Sequence, residues 1–135
     1  MNAGKVSEAL KTPYKKGDVI YSVNDVSDCV YLVHSGSVAL ETKNGMVLGT
    51  LGEGELFGEV GLITSELRTV TVRAHTDCIL VKITEALFRK KIRSADPICN
   101  AIIRGLALRI SDANALAEKY WRELSVYKSI DLDRK

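Results

Sequence analysis

Phe57-Gly58-Glu59-Val60-Gly61-Leu62-Ile63-Thr64-Ser65-Glu66-Leu67-Arg68-Thr69-Val70-Thr71-Val72 is the informative stretch of this chain. It completes a run with four glycines in ten residues, Gly52, Gly54, Gly58 and Gly61, which breaks any strand rhythm. Residues Glu59 to Ile63 suit one helical turn, and Thr69 to Ala74 suit a strand. A glycine-bounded helical turn presents free backbone N–H groups, an arrangement that attracts anions. Gly58 and Gly61 let a ligand approach the backbone closely. The planar fork of Arg68, at the start of the next strand, suits a phosphate better than lysine does. Glu59 supplies an acceptor for a sugar hydroxyl. A cation and a carboxylate beside one anion-binding turn ask for a ligand that carries both a phosphate and a hydroxyl.

Upstream of this segment the pattern is that of short antiparallel strands. Val19 to Tyr21, Cys29 to His34, Ser37 to Thr42 and Met46 to Leu51 are strand-like, with tight turns at Ser35-Gly36 and Asn44-Gly45. Cys78 to Ile83 is expected to pair with Thr69 to Ala74 across His75-Thr76-Asp77. Regularly spaced short strands predict an antiparallel sandwich or barrel. Downstream the period changes to helical. Thr84-Glu85 opens a short helix through Lys91. Asp96-Pro97 opens a second, with Asp at the N-cap and Pro at the first helical position. With no later Pro and only Gly105, that helix is expected to run to Tyr127.

The bulk numbers narrow the class. The chain has 135 residues, 46% of them hydrophobic and 27% charged, which fits one globular domain. A net charge of +2 argues for neither nucleic acid nor a membrane surface. No apolar run approaches the roughly 18 residues of a membrane span, and Met1 to Leu10 has no signal-peptide core. Cys29, Cys78 and Cys99 have neither zinc-site nor redox-motif spacing, so reduced, mostly buried thiols in a cytoplasmic protein are expected.

The Phe57–Val72 stretch resembles the phosphate-binding cassette of cyclic nucleotide-binding domains, found in Crp-Fnr proteins, protein kinase A regulatory subunits and cyclic-nucleotide-gated channels. The likeness lies in Phe-Gly-Glu, an apolar-small-Leu run, and Arg followed by Thr and a strand. Lys16 to Tyr21 and Val30 to Val38 resemble the family's first strands. The likeness covers Tyr14 to Leu116. It implies an eight-stranded antiparallel jelly-roll β-sandwich with C-terminal helices. A short arm would cover residues 1–13, the binding domain with its following helix 14–94, a long helix 95–127, and a polar tail 128–135.

The resemblance also implies roles. Glu59 would hold the ribose 2′-hydroxyl. Arg68 would pair with the cyclic phosphate beside N–H groups of Val60 and Gly61, with Gly58 opening the turn. Thr69 would add a hydroxyl, and Leu48 would pack against the base. The long helix would close over the base, with Arg109 and Asn114 placed near it by helical register. Leu67 stands where many members have Pro, Val70 where they usually have Ala, and Asn24 where they have a turn Gly. The ligand is then cAMP or cGMP, with cAMP the default.

A Glu59–Arg68 surface ion pair is the plain alternative to a site. His34 and His75 are isolated, so neither a cupin metal site nor any catalytic set is assembled, and the chain is expected to be a binding module with no metal or cofactor rather than an enzyme. A Crp-like regulator would need a DNA-binding part after the long helix, so no direct contact with nucleic acid is expected. A dimerisation module with a degenerate pocket is the other rival. Ile103, Leu106, Ile110, Ala113, Ala117, Tyr120, Leu124 and Tyr127 alternate in steps of three and four, which predicts a homodimer seam that would signal to a protein effector.

Overall fold

A computed structural model describes residues 11–133. Eight strands form two four-stranded antiparallel sheets. One is ordered β1-β8-β3-β6 and the other β2-β7-β4-β5. The strands are β1 (Lys11–Tyr14), β2 (Val19–Tyr21), β3 (Cys29–Ser35), β4 (Val38–Glu41), β5 (Val47–Leu51), β6 (Leu56–Phe57), β7 (Thr71–Ala74) and β8 (Cys78–Thr84). Among the described residues three helices accompany them: α1 (Glu59–Thr64), α2 (Glu85–Arg93) and α3 (Pro97–Asp133). The jelly-roll expectation from the sequence holds, but the expected pairing of Thr69–Ala74 with Cys78–Ile83 does not: β7 pairs with β2 and β4, and β8 with β1 and β3, so the turn between them crosses from one sheet to the other.

The core lies between the sheets. Val33, Val38, Val72 and Leu80 are almost fully buried, and Tyr21, Tyr31 and Phe57 pack at one end of the same cluster. Tyr31 stacks on Phe57 with ring centroids 5.2 Å apart, and Tyr21 lies 6.1 Å from Phe57. Alternation along β7, with Val72 and Ala74 inward, is what a half-buried strand requires.

Two strands extend the sequence reading. Lys11–Tyr14 pairs with β8 from Lys11↔Val81 to Tyr14↔Cys78, so residues 11–13 of the expected arm belong to a sheet; residues 1–10 lie outside the described residues. Leu56–Phe57 pairs with β3 just before the cassette helix. The helix starts follow their caps. Thr84 Oγ1 accepts from Leu87 N at 3.3 Å, and Asp96 Oδ1 accepts from Ile98 N at 2.8 Å. α3 continues to Asp133, past the expected stop at Tyr127. Residues 128–133 contain no Gly or Pro to end it. At 37 residues it spans about 55 Å.

α3 has two distinct faces. Ala107, 3% exposed, marks the face on the sandwich, shared with Ile103, Ile110, Asn114 and Glu118. The opposite face carries Ile98, Ile102, Leu106, Leu116, Tyr120 and Leu124, each about half exposed or more. The expected seam therefore divides. Ile103 and Ile110 belong to the inner face, and Leu106, Tyr120 and Leu124 to the outer one. Tyr127's side chain lies outside the described residues.

Candidate functional site

The turn at Gly58 builds the site. Its φ of 88° is the left-handed conformation that glycine adopts freely, and it lets α1 start directly after β6. A Cβ at Gly58 would sit 2.8 Å from Arg68 Nη1, so the glycine also makes room for the arginine. Gly61 is equally constrained, because a Cβ there would collide with the Ser27 side chain. The first-turn N–H groups of α1, including Val60 and Gly61, have no intrahelical acceptor in such a turn.

Arg68 comes back to this turn from the far side of the Thr64–Leu67 loop. Its backbone is fixed by two bonds to the β2–β3 connection: Asn24 N donates to Arg68 O, and Arg68 N donates to Asp25 O, each at 2.8 Å. Asn24 has φ 74°, so it adopts the left-handed geometry of the turn glycine it replaces. The Arg68 side chain is buried, with residue exposure of 4%. Nη1 donates to Gly58 O and Nη2 to Cys29 O, both at 2.8 Å. Asp28 Oδ1 is 3.8 Å away, on a side chain that is 70% exposed. That solvated carboxylate offsets only part of a buried charge. The Cys29 thiol is pushed up by burial above all, so it stays neutral beside the guanidinium.

Glu59 stands at the first position of α1, and no ion pair joins it to Arg68 among the described residues, which sets aside the surface-pair reading. Burial lifts its carboxyl above the ordinary 4.5, while its own backbone N–H and the Arg68 charge draw it part of the way back. Two buried polar atoms here have no hydrogen-bond partner: Glu59 Oε2, an acceptor, and Arg68 Nε, a donor. Such atoms cost about 1–3 kcal/mol each when left unpaired.

Both residues line one pocket of about 200 Å³. Gly58, Val60, Gly61, Thr69 and Val70 complete the cassette side, and Leu40, Leu51 and Leu56 supply apolar wall. Ile110 and Asn114 of α3 close it. The structure thus places Gly58, Glu59, Val60, Gly61, Arg68, Thr69 and Asn114 around one pocket.

Two expected residues fall elsewhere. Leu48 packs on the core cluster and is not part of the pocket lining. It sits where the β4–β5 register slips between Leu40↔Gly49 and Glu41↔Val47, so simple alternation does not carry it to the pocket wall. Arg109 lines an outer groove with Ile98, Ile102 and Leu106. It lies one residue before Ile110, about 100° around the helix, and so points away from the sandwich. Leu40, Leu51 and Ile110 are lining residues the sequence reading missed. Their signal, strand parity toward the cassette and the α3 register, is visible once the sheets are paired.

Several other expectations are clarified. His34 and His75 are exposed, and among the described residues no cluster of His, Cys, Asp and Glu is arranged to hold a metal. Cys29 and Cys78 are buried, whereas Cys99 is exposed. Among the described residues no helix is long and apolar enough to cross a membrane.

Comparison with known proteins agrees with this geometry. The family model of the cyclic nucleotide-binding domain matches residues 11–95. Lysophospholipase nte1 of Aspergillus terreus is 34% identical over 100 residues, covering 71% of this chain and 6% of the fungal protein. The cAMP-dependent protein kinase regulatory subunit of Schizosaccharomyces pombe is 32% identical over 93 residues, 67% of this chain and 22% of the subunit. The chain therefore spans less than a quarter of these curated relatives. Among solved structures, the cGMP-bound form of the EAL enzyme Bd1971 superposes with a TM-score of 0.71 at 28% identity, over 90% of this chain and 34% of that one. Its cAMP-bound form gives 0.69 at 29% identity, over 88% and 33%. The match spans both sheets and the whole cassette from Gly58 to Arg68, and the chain belongs to the cyclic nucleotide-binding domain family.

Proposed function

We propose that this chain is a cytoplasmic regulatory module that binds a purine 3′,5′-cyclic nucleotide and passes the event on through α3. The observation that carries the reading is that Glu59 and Arg68, each with one buried polar atom lacking a hydrogen-bond partner, Oε2 and Nε, line one pocket. An acceptor and a charged donor on the two sides of a short helical turn match a ribose hydroxyl and a cyclic phosphate. Val60 and Gly61 N–H groups add donors to the phosphate, and Thr69 adds a hydroxyl. Asn114 faces the base with an amide that both donates and accepts. Relatives with cAMP and cGMP bound support the same ligand class. In this reading the chain acts as a binding module. Isothermal titration with cAMP and cGMP tests the reading: saturable binding of at least one is expected. Lack of binding to both at millimolar concentration refutes it.

The second part of the proposal is a homodimer through α3. Its outer face leaves Ile98, Ile102, Leu106, Leu116, Tyr120 and Leu124 open to water along most of the helix. Monomeric soluble proteins rarely expose so continuous an apolar strip. A parallel or antiparallel pair of these helices buries it and leaves both nucleotide pockets, on the inner faces, accessible. The dimer surface then moves with α3 and is what a protein effector reads. Sedimentation velocity should give a dimer for the wild type and monomers for Leu106→Asp with Leu116→Asp. A wild-type monomer at high protein concentration removes this part alone.

A further inference from the structure

α2 and the start of α3 turn two kinds of side chain toward one hollow. Phe88 and Ile92 stand one turn apart on α2, and so do Arg89 and Arg93, so an apolar ridge and a basic ridge run side by side. α3 adds Ile103 and Arg104, and the cassette helix α1 adds Leu62 and Ile63. Between the three helices lies a cavity of about 550 Å³, larger than the nucleotide pocket of about 200 Å³. Small-molecule sites are usually roughly 300–1,000 Å³ and mostly apolar, with a few charged or polar groups that fix orientation.

No carboxylate lines the cavity, whereas three arginines do. Arg89 is engaged already: its Nε lies 3.1 Å from Glu85 Oε1, and its Nη2 donates to Leu62 O at 3.4 Å. Arg93 and Arg104 have no hydrogen bond or ion pair among the described residues. The walls are fixed by their own ties. Arg89 joins α2 to α1, and Asn100 Nδ2 donates to Ile92 O at 2.9 Å, which pins α3 to α2. A cavity shaped before anything enters it costs a ligand less ordering.

Each half of this lining excludes a simpler ligand. An inorganic anion would meet the arginines and leave the apolar floor uncovered. A neutral hydrocarbon would cover the floor and leave the guanidinium groups without a counter-charge. A stable protein contact needs about 1,200 Å² or more of buried surface, which a hollow of this size does not supply. We infer that the cavity is a second ligand site, separate from the cassette pocket, for a small amphiphilic anion: an aliphatic chain that ends in a carboxylate. The chain covers Leu62, Ile63, Phe88, Ile92 and Ile103, and the carboxylate meets the guanidinium groups of Arg93 and Arg104. Both arginines are exposed, so the charged head keeps part of its hydration.

Titration calorimetry with decanoate, butanoate and decanol tests the inference on the whole chain, without nucleotide. Decanoate should bind saturably, one molecule per chain. Butanoate keeps the head and has six methylenes fewer, so it should bind more than about tenfold more weakly. Decanol keeps the chain and lacks the charge, so it should bind about fivefold or more weakly. Arg93→Gln with Arg104→Gln changes two exposed side chains that hold no ion pair among the described residues, so the fold should stand. That variant should lower decanoate to the level of decanol and leave decanol unchanged. Methyl NMR of the wild type should place the largest decanoate shifts at Ile63, Ile92 and Ile103. Absence of saturable decanoate binding, equal affinity for decanol, unaltered decanoate affinity in the double variant, or shifts centred on Ile98, Ile102 and Leu106 of the outer face overturns the site. The nucleotide pocket stands or falls separately, because no step of this test uses it.

Discussion

The guanidinium of Arg68 lies over the ring of Tyr21, with its carbon 4.1 Å from the ring centroid. The ring face carries partial negative charge and favours the cation. Together with the carbonyls of Gly58 and Cys29 it fixes the fork before any ligand arrives. The Nε has no hydrogen-bond partner of its own, and in the proposed site the phosphate meets a side chain already held in place.

Arg68→Ala removes charge-assisted bonds worth about 1.5–3 kcal/mol, a tenfold to hundredfold loss of nucleotide affinity. Arg68→Lys keeps the charge and loses the planar fork and its stacking on Tyr21, so a loss of about tenfold is expected from the same range. Titration calorimetry reads both. A lysine variant equal to wild type would show that charge alone, not the fork, holds the phosphate.

Glu59 gives the binding a pH dependence. Burial first, moderated by its own N–H and by Arg68, holds its carboxyl above 4.5. In the proposed site the ionised form accepts the ribose hydroxyl, so affinity should rise as pH increases from about 4.5 through the raised value, and binding in that window should release protons. The sign for the free protein is opposite. A carboxyl raised on folding adds stability below 4.5 that is lost as pH rises through its folded value. Titrations in buffers of different ionisation enthalpy measure the proton release, and Glu59→Gln should remove it. Proton uptake on binding, or an unchanged dependence in the variant, contradicts this role.

Much of the site was legible because it is local. Gly58, Glu59, Gly61 and Arg68 fall within eleven consecutive residues, and each has a chemical reason to be its own type. What the sequence hid is set by long-range pairing. Lys11–Tyr14 contains a lysine and a proline and becomes a strand only because β8 offers an edge. Leu48 is displaced by a register slip that only β4 reveals. On α3 two apolar stripes run side by side, and a step pattern of three and four crosses from one to the other. Ile103 and Ile110 then look like partners of Leu106, although they face the sandwich.

Val70 tests whether the pocket is limited by its own wall. It is 6% exposed, part of the core, and lines the pocket where related cassettes usually carry alanine. Val70→Ala should cost about 1–3 kcal/mol of stability from lost burial and the cavity left behind. The same cavity enlarges a site of about 200 Å³, so nucleotide affinity should increase severalfold. Thermal unfolding and titration calorimetry separate the two effects. Reduced stability with no gain in affinity would place the limit at α3 rather than at the cassette wall.

The last prediction concerns α3 as the moving part. Ile110 and Asn114 of α3 line the pocket beside the cassette, so a nucleotide that enters it meets the helix. Few polar ties hold the helix there. Ser111 Oγ donates to Glu66 Oε1 at 3.0 Å, and Asn44 Nδ2 donates to Glu118. Near the hinge with α2, Asn100 Nδ2 donates to Ile92 O at 2.9 Å. Ties to exposed or half-exposed partners are weak enough for a ligand to exchange. The nucleotide biases α3 only by the difference in its affinity for the two arrangements. In the proposed site, contacts from the base to Asn114 supply that difference, because they exist only when the helix is over the site. Hydrogen exchange should therefore show increased protection on binding, greatest over residues 107–118 and smaller toward residue 127. In a dimer joined along the outer face, the same shift re-aims both helices. Unchanged exchange across residues 97–127 at saturating nucleotide would reject α3 as the reporter and leave the binding site standing.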